Sequence, residues 1–435
     1  MRSPEGELPA AVPPVVKGLL ARQWALLLAT AAVALPIPLL RLLEITGLAH
    51  PDLPNALQAL IFGLGIFAAA TLLVWASEVA ETEVSAGLAL VVLALIAVLP
   101  EYAVDLYFAW TAPDNPENAH LAIANMTGGN RLLVGLAWPV IFLIFFLKTR
   151  RKEMPILKSN ALGILFLAAA TLYSFSIPLR SHLSLIDTGV MFSLFAAYMY
   201  LASRSPPEND REFVGPAAAI ASLPRAARRF TVLAVFVYCA GVIFAAAEPF
   251  ANGLVETGRG AGIDEFVLVQ WIAPLASESP EFILAGMLAA RGRHHAGMTI
   301  LISSKVNQWT LLIGSLPLAY SISGGTFSPL DFDARQQEEV FLTAAQSLFA
   351  VAILVSLSMG RWEAFFLGAL FLTQFFFTDT TVRLGYAIAY SILAAVILVR
   401  DVPRLPVFYR AVRDTVRDPH GTHESELAQV RPPPT

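Results

Sequence analysis

The sequence predicts an all-α, polytopic membrane protein with about 12 transmembrane helices. Of its 435 residues, 56% are hydrophobic and only 14% are charged. A soluble domain carries roughly a quarter of its residues as charged side chains, so this chain has too few to cover a water-facing surface. Apolar runs of about 20 residues, the length that crosses a bilayer as a helix, recur along the whole sequence. Two of these runs contain a Pro-Glu pair, and these pairs mark two inverted five-helix repeats.

The predicted spans follow one another with short polar connections. The first is too long and too closely flanked by arginine to be a cleaved signal peptide. The single Cys239 excludes a disulfide within the chain and a cysteine-based metal site. The spans are 24–43, 55–78, 85–110, 119–147, 160–178, 184–203, 229–249, 264–290, 297–319, 340–358, 362–378 and 383–399.

The basic residues orient these spans, because Lys and Arg concentrate in cytoplasmic loops. With the N-terminus inside, the even-numbered loops hold most of the 29 basic residues. The opposite side holds only Arg41, Arg180, Arg259, Arg335 and Arg383. We therefore expect a multi-pass protein of the cell (inner) membrane with both termini in the cytoplasm.

Two segments of the chain resemble each other. Each has a Pro-Glu pair inside an apolar helix, at Pro100-Glu101 and Pro280-Glu281, then a helix of small and polar residues. Each ends with Leu-Leu-Val-Gly or Leu-Leu-Ile-Gly. The Pro-Glu helices are the third and eighth predicted spans, and this odd separation inverts the second copy relative to the first. Inverted repeats with interrupted helices near the bilayer midplane are typical of secondary transporters.

The repeat predicts how the chain is organised. A peripheral helix stands on each side of the two halves, and polar segments form the ends and the middle. The predicted parts are an N-terminal tail (1–22), a peripheral transmembrane helix (23–50), the first repeat half (51–203), a cytoplasmic loop (204–228), the second repeat half (229–380), a second peripheral helix (381–400) and a disordered cytoplasmic tail (401–435).

Carboxylates within the predicted spans indicate a cation site. An ionised carboxylate in hydrocarbon must face a partner, water or an ion. Glu101 and Asp105 lie four residues apart, and Glu278 and Glu281 lie three apart, so each pair shares one helix face. The neighbouring proline frees a backbone carbonyl in the preceding turn. Carboxylate, carbonyl and amide oxygens together are the ligands that a hard cation needs.

Two basic residues, Arg131 and Lys305, also fall within predicted spans. They offset only part of the intramembrane negative charge, and the surplus favours bound cations or protons. Lys305 could stand in for a cation in the site. It could equally snorkel to the interface or form a fixed salt bridge, and both interpretations stay open here.

These motifs resemble the sodium/calcium exchanger superfamily, which includes calcium/proton and potassium-dependent exchangers. In that family a Thr-Ser-x-Pro-Glu helix precedes a Gly-Asn-x-x-Gly-Ser-Asn helix in each of two inverted repeats. The resemblance implies two five-helix halves with central cation sites on the Pro-Glu helices. The matching positions here are Glu101, Glu281, Ser277, Asn125, Gly128 and Asn130.

The chain departs from the family pattern at several ligand positions, as a divergent prokaryotic member would. Ala97 and Val98 replace the threonine and serine of the first repeat, and Glu278 replaces the serine of the second. Lys305 stands in an asparagine position. These departures favour fewer ion sites or proton coupling.

We therefore predict a secondary active antiporter that exchanges calcium for sodium or protons by alternating access. A sodium/proton antiporter on the same fold and a transport-dead cation sensor are the alternatives. Glu78 and Glu248, which end the spans before each Pro-Glu helix, are secondary candidates on the ion path. The predicted metal-site residues are Glu101, Glu281, Glu278, Ser277, Asn125, Asn130, Asp105, Ser304, Asn307 and Gln308, with Lys305 as an internal cation substitute.

The sequence does not favour an enzyme. Its histidines lie in loops, tails or span ends, so no intramembrane metal triad is visible, and Asp105 is the only well-buried aspartate for a protease dyad. We expect no catalytic residues and no cofactor. The expected partners are transported inorganic cations and the lipid bilayer, without nucleic acid, and the sequence does not specify an oligomeric state.

Overall fold

The computed structural model describes residues 14–48, 53–80, 99–204, 213, 215–374, 376–377 and 379–418. Within these ranges the protein is almost entirely helical, and the only strands are two short antiparallel pairs. The prediction of an all-α, polytopic membrane protein is therefore confirmed.

Most helices are long, and several are interrupted where the sequence contains proline or glycine. Two π-helical turns, Leu133–Ala137 and Gln308–Leu312, each join two α-helices end to end. The helices are α1 (Pro14–Ala34), α2 (Pro36–Ile45), α3 (Asn55–Ala80), α4 (Leu99–Thr111), α5 (Glu117–Leu132), α6 (Trp138–Thr149), α7 (Ala161–Ser174), α8 (Ser176–Arg180), α9 (Leu185–Ala202), α10 (Pro216–Ala221), α11 (Arg225–Ala261), α12 (Glu265–Ala290), α13 (His294–Asn307), α14 (Ile313–Gly324), α15 (Ala334–Leu354), α16 (Arg361–Gln374), α17 (Thr380–Asp401) and α18 (Leu405–Arg417).

Among the described residues, eight helical stretches are long and apolar enough to cross a membrane. They overlap the first, second, fourth to seventh, tenth and twelfth predicted spans. Of the others, most of the third span (85–98) lies outside the described residues. The eighth, ninth and eleventh correspond to α12, to α13 with α14, and to α16, which contain more polar residues or are shorter.

The structure differs from the predicted organisation at the edges. Helix α1 already begins at Pro14, within the predicted N-terminal tail. Helix α18 (Leu405–Arg417) lies within the tail that was predicted to be disordered. Apolar and basic residues alternate at helical spacing in α18, so it buries Ala411 and Thr415 against the protein despite its high polar content. Residues 419–435 lie outside the described residues.

The matching segments pack reciprocally. The Pro-Glu helix α4 contacts α14 of the other segment, and α12 contacts α6 in the corresponding way. Likewise α5 contacts α15, while α13 contacts α7. The two Pro-Glu helices also contact each other. The polar helices and both Pro-Glu motifs therefore meet in the centre of the protein.

Two short strand pairs hold loops together at opposite ends of α15. Strand β3 (Leu330–Asp331) precedes α15 and pairs with β2 (His182–Leu183). Strand β4 (Ser358–Gly360) follows α15 and pairs with β1 (Glu153–Pro155). Because α15 has 21 residues and a helix rises 1.5 Å per residue, the pairs are separated by about 30 Å, the thickness of the hydrocarbon core.

Candidate cation site

The Pro-Glu helices place acidic side chains in the interior. Glu101 and Asp105 on α4 are 5% and 1% exposed, and Glu278 on α12 is 2% exposed. Glu281, one turn further along α12, is half-buried. Burying a carboxylate this completely is costly unless a cation, a proton or a hydrogen-bond donor compensates for its charge.

The structure brings the acids of α4 and α12 together. Glu101 experiences the charge of Glu278 most strongly and that of Glu281 next, with Asp105 contributing less. Glu278 in turn experiences Glu281, Lys305 and Asp105, in that order. Glu278 therefore lies close enough to Glu281, Lys305 and Asp105 for their charges to interact.

Neutral polar side chains lie beside each carboxylate. Gln308, the first residue of a π-helical turn, lies beside both Glu101 and Glu278. Ser304 lies beside Glu281. On the first half, Asn125 lies beside Asp105 in a similar arrangement. The cluster consequently combines carboxylate, amide and hydroxyl oxygens, the ligand types that Ca²⁺ prefers.

Several of these buried oxygens have no hydrogen-bond partner among the described residues. Buried polar atoms in proteins are nearly always paired, so such a concentration indicates a place for a cation, a proton or water. Within the same ranges, no three acidic, His or Cys side chains converge at metal-ligand spacing. Neutral oxygens or water would therefore complete any coordination shell. The unpaired atoms are Glu101 Oε2, Asp105 Oδ1, Asn125 Oδ1, Glu278 Oε2, Glu281 Oε2, Ser304 Oγ and Gln308 Oε1.

The other predicted ligands already have protein partners. The Ser277 hydroxyl donates to the carbonyls of Ala273 and Pro274, both at 3.3 Å. Asn307 Oδ1 accepts a hydrogen bond of 3.0 Å from the Tyr102 hydroxyl. This second contact joins α4 to α13.

Asn130 also has partners on both sides. Its amide group donates to Met126 O at 2.9 Å, and its Oδ1 accepts from Lys305 Nζ at 2.7 Å. Lys305 is completely buried, and Nζ lies 4.4 Å from the centre of the Trp309 ring. Lys305 is therefore part of the cluster and connects α13 to α5.

Two glycines allow α5 to approach the second Pro-Glu helix. A Cβ atom at Gly128 would collide with the backbone carbonyl of Gln270, and one at Gly129 would collide with Glu278 Oε1. The Glu278 carboxylate thus packs directly against the backbone of α5. This close packing explains why small residues follow one another at this point of the sequence.

Arg131 does not join the cluster of acids. Its Nη2 lies 2.5 Å from Glu339 Oε2, and both side chains are inaccessible to solvent. Arg383 also pairs with Glu339, and its Nη1 lies 4.0 Å from Glu338 Oε1. These four residues form a buried ion-pair network that joins α5, α15 and α17.

Most of this network is absent from the sequence prediction. The predicted tenth span begins at residue 340 and Arg383 was assigned to the external side, so Glu338, Glu339 and Arg383 were not expected to lie within the membrane. The missed signal is a capping box: Asp333 and Gln336 bond reciprocally at the start of α15. An Asp followed three residues later by Gln indicates a helix beginning at residue 334.

The secondary candidates lie on α3 and α11, outside the Pro-Glu helices. Glu248 Oε2 lies 2.6 Å from Arg41 Nη2, and the Glu248 side chain is half exposed. Glu78 lies near the C-terminal end of α3 and is partly buried.

A family model described as "Sodium/calcium exchanger protein" matches residues 55–204 and 231–378. This chain belongs to the sodium/calcium exchanger family. The resemblance read from its motifs is therefore confirmed, and so is the prediction of a multi-pass, secondary active cation antiporter. Members of the family are transporters and not enzymes.

Solved structures of exchangers are similar to this family member. The crystal structure of the H⁺/Ca²⁺ exchanger CAX is 44% identical with a TM-score of 0.85, covering 91% of this chain and 99% of that chain. The structure of YfkE shares the fold at 16% identity and a TM-score of 0.57, covering 84% and 100%. The sodium-calcium exchanger NCX_Mj also shares the fold, at 17% identity and a TM-score of 0.50, and the match covers 75% of this chain and 99% of that chain. Comparison with curated proteins gives no match.

Proposed function

We propose that this family member exchanges Ca²⁺ for protons, with Glu101 and Glu281 as the acids that bind either cargo. The observation that carries this proposal is the concentration of buried, unpaired oxygens between the two Pro-Glu helices. The 44% identity with an H⁺/Ca²⁺ exchanger supports the choice of ions.

The chemistry of the cluster couples the two ions. Several ionised carboxylates cannot remain close together in a dry interior, because each raises the energy of the others. The cluster can be relieved either by a divalent cation or by protons on the carboxylates. The two conditions exclude each other, since a protonated oxygen is a poor ligand for Ca²⁺. Loading one ion therefore requires release of the other, which is the condition for antiport.

The proposed ligands fall into two groups. Asn125, Ser304 and Gln308 carry unpaired oxygens and would complete the coordination around Glu101 and Glu281, while the unpaired carboxylate oxygens of Glu278 and Asp105 would add negative charge beside the ion. The other predicted ligands, which already make hydrogen bonds within the protein, would act as gate contacts that are exchanged during the transport cycle. These are Ser277, Asn130 and Asn307.

Reciprocal packing of the halves supports alternating access by two inverted five-helix repeats, 51–203 and 229–380.

The paired loops support the proposed topology, in which the protein lies in the inner membrane and both termini are in the cytoplasm. Strands β1 and β4 lie in loops assigned to the cytoplasmic side, while β2 and β3 lie in loops assigned to the external side. The Arg259–Glu117 ion pair, at 2.6 Å, likewise joins two external loops.

Radiocalcium uptake into proteoliposomes tests the proposed function. An imposed proton gradient should drive uptake by the wild type, and Glu101→Gln and Glu281→Gln should each abolish it, because a neutral amide can neither balance Ca²⁺ nor exchange a proton. Glu256→Gln is the matched control, since this acid pairs with Arg259 on the surface. Uptake driven only by a sodium gradient, or uptake that survives both substitutions, would contradict the proposal.

Cysteine labelling tests the topology. Cys239 is completely buried, so a Cys239→Ala background allows single cysteines to be introduced at exposed positions. A cysteine replacing Arg417 should be labelled only from the cytoplasmic side, and one replacing Thr326 only from outside. Labelling of both from the same side would contradict the assigned orientation.

A further inference from the structure

Lys305 has the surroundings of a bound cation. Its ammonium donates to Asn130 Oδ1 at 2.7 Å and to the Asn130 carbonyl at 3.3 Å, and it lies over the face of the Trp309 ring. Amide oxygens, carbonyl oxygens and aromatic faces are the neutral groups that attract a cation in a protein interior.

Within the described residues, the contacts of this lysine fit neither of the two simpler roles. Its side chain is completely buried, so it does not snorkel towards the interface. Among the described residues no carboxylate lies within salt-bridge distance of Nζ, and its direct acceptors are both on Asn130. The charge of Glu278 acts on Lys305 without direct contact between the two groups.

The contacts of Lys305 come from both halves of the exchanger. Asn130 belongs to α5 of the first half, whereas Lys305, Trp309 and Glu278 belong to the second. An ion in the centre of an alternating-access protein is held in the same way, between elements from both repeats. The ammonium therefore lies where a transported ion would be bound.

We propose that the Lys305 ammonium is a tethered monovalent cation that permanently fills one cation position of the transport site. This inference rests on the proposed cation antiport through Glu101 and Glu281. The fixed positive charge offsets that of Glu278, so Ca²⁺ has one carboxylate fewer to balance. Sodium finds no vacant position beside Glu278, and Lys305 thereby selects protons over sodium as the exchanged ion.

Removing the lysine charge should open this position to sodium. In Lys305→Asn, Na⁺ should raise the Tm of the purified protein relative to an equal concentration of choline. Na⁺ should also change the rate of Ca²⁺ transport by this variant several-fold, either as the driving ion or as a competitor of Ca²⁺. The wild type should show neither effect. In the double variant Glu278→Gln/Lys305→Asn the sodium effect should disappear, because the negative charge that attracts the ion is gone. Lys305→Gln provides a second single variant, whose amide can still donate to Asn130.

The outcomes separate this inference from the proposed function. A wild type stabilised by Na⁺ would overturn the inference whether or not any variant folds. A folded Lys305→Asn or Lys305→Gln protein that ignores Na⁺ would also overturn it, as would a double variant that responds as strongly as the single one. The Tm measurement needs no transport activity. Sodium-dependent stabilisation limited to the single variants would support the tethered cation even in a protein that moves no Ca²⁺.

Discussion

Arg131 and Glu339 form an ion pair in which neither side chain is accessible to solvent, with Nη2 and Oε2 2.5 Å apart. Arg131 directly follows Asn130, the residue that holds the Lys305 ammonium. Glu339 also pairs with Arg383 on α17, a helix that begins beyond the matched family segments. Helix α17 is therefore connected through two ion pairs to the polar helix α5 of the cation site.

Glu339→Gln should destabilise the protein strongly. The substitution leaves two buried guanidinium groups without their shared carboxylate, and breaking a buried pair in this way costs about 3–5 kcal/mol. Thermal unfolding in detergent measures the effect. Glu256→Gln, which removes an exposed pair with Arg259, should cost about 0–1 kcal/mol. Equal Tm values for the two variants would show that the buried network adds no stability.

Gly128→Ala should destabilise the contact between α5 and α12. The added methyl group meets the backbone carbonyl of Gln270, which cannot rotate away, and overpacking of this kind costs about 1–3 kcal/mol. Gly189→Ala is the control, because a Cβ atom there meets nothing within 4 Å. The Tm of both variants is measured by thermal unfolding. Equal Tm values would contradict the predicted collision between the new methyl group and the carbonyl of Gln270.

Gly129→Ala should impair transport more than stability. Its methyl group meets the end of the Glu278 side chain, which can move aside by changing its rotamer. The displaced carboxylate would then no longer face Lys305 and the Pro-Glu acids. We expect a large loss of proton-driven Ca²⁺ uptake with a small change in Tm. A variant with normal uptake would show that the position of Glu278 is unimportant for transport.

Tyr102→Phe should weaken the connection between the halves. It removes the 3.0 Å hydrogen bond to Asn307 and leaves a buried acceptor unpaired, at a cost of about 1–3 kcal/mol. Tyr107→Phe is a matched control, because the Tyr107 hydroxyl makes a bond of the same length to Asn252 at a more exposed position. The free energy of unfolding should fall further for Tyr102→Phe than for Tyr107→Phe. The reverse order would show that the Tyr102–Asn307 bond is not the more buried of the two.

Much of the cluster could be predicted from the sequence. Acids in apolar runs cannot be accidental surface residues, so Glu101, Asp105, Glu278 and Glu281 were identified from their positions alone. The repeat of the Pro-Glu motif placed them on two helices that meet. Composition and the length of the apolar runs were sufficient for the fold class, because the bilayer permits few alternatives.

The partners of these residues could not be predicted. Lys305 and Asn130 lie 175 residues apart in the sequence, and no local spacing indicates a contact at that distance. Glu339 was missed because a span predicted from hydropathy ends where the most polar residues begin. Helix α15 instead includes these polar residues and buries them in the protein interior. From the sequence alone, a buried charged residue that is neutralised by a distant partner looks the same as a charged residue in a loop.

The π-helical turn that begins at Gln308 has a mechanical consequence. Such a turn holds one residue more than the α-helix accommodates, and it can pass this residue along the helix. A shift by one position would rotate the Gln308 side chain by about 100° around the helix axis, towards or away from Glu101 and Glu278. The turn at Leu133–Ala137 gives the first half the same freedom. Each polar helix can thus twist one part of its length against the other while its ends stay packed.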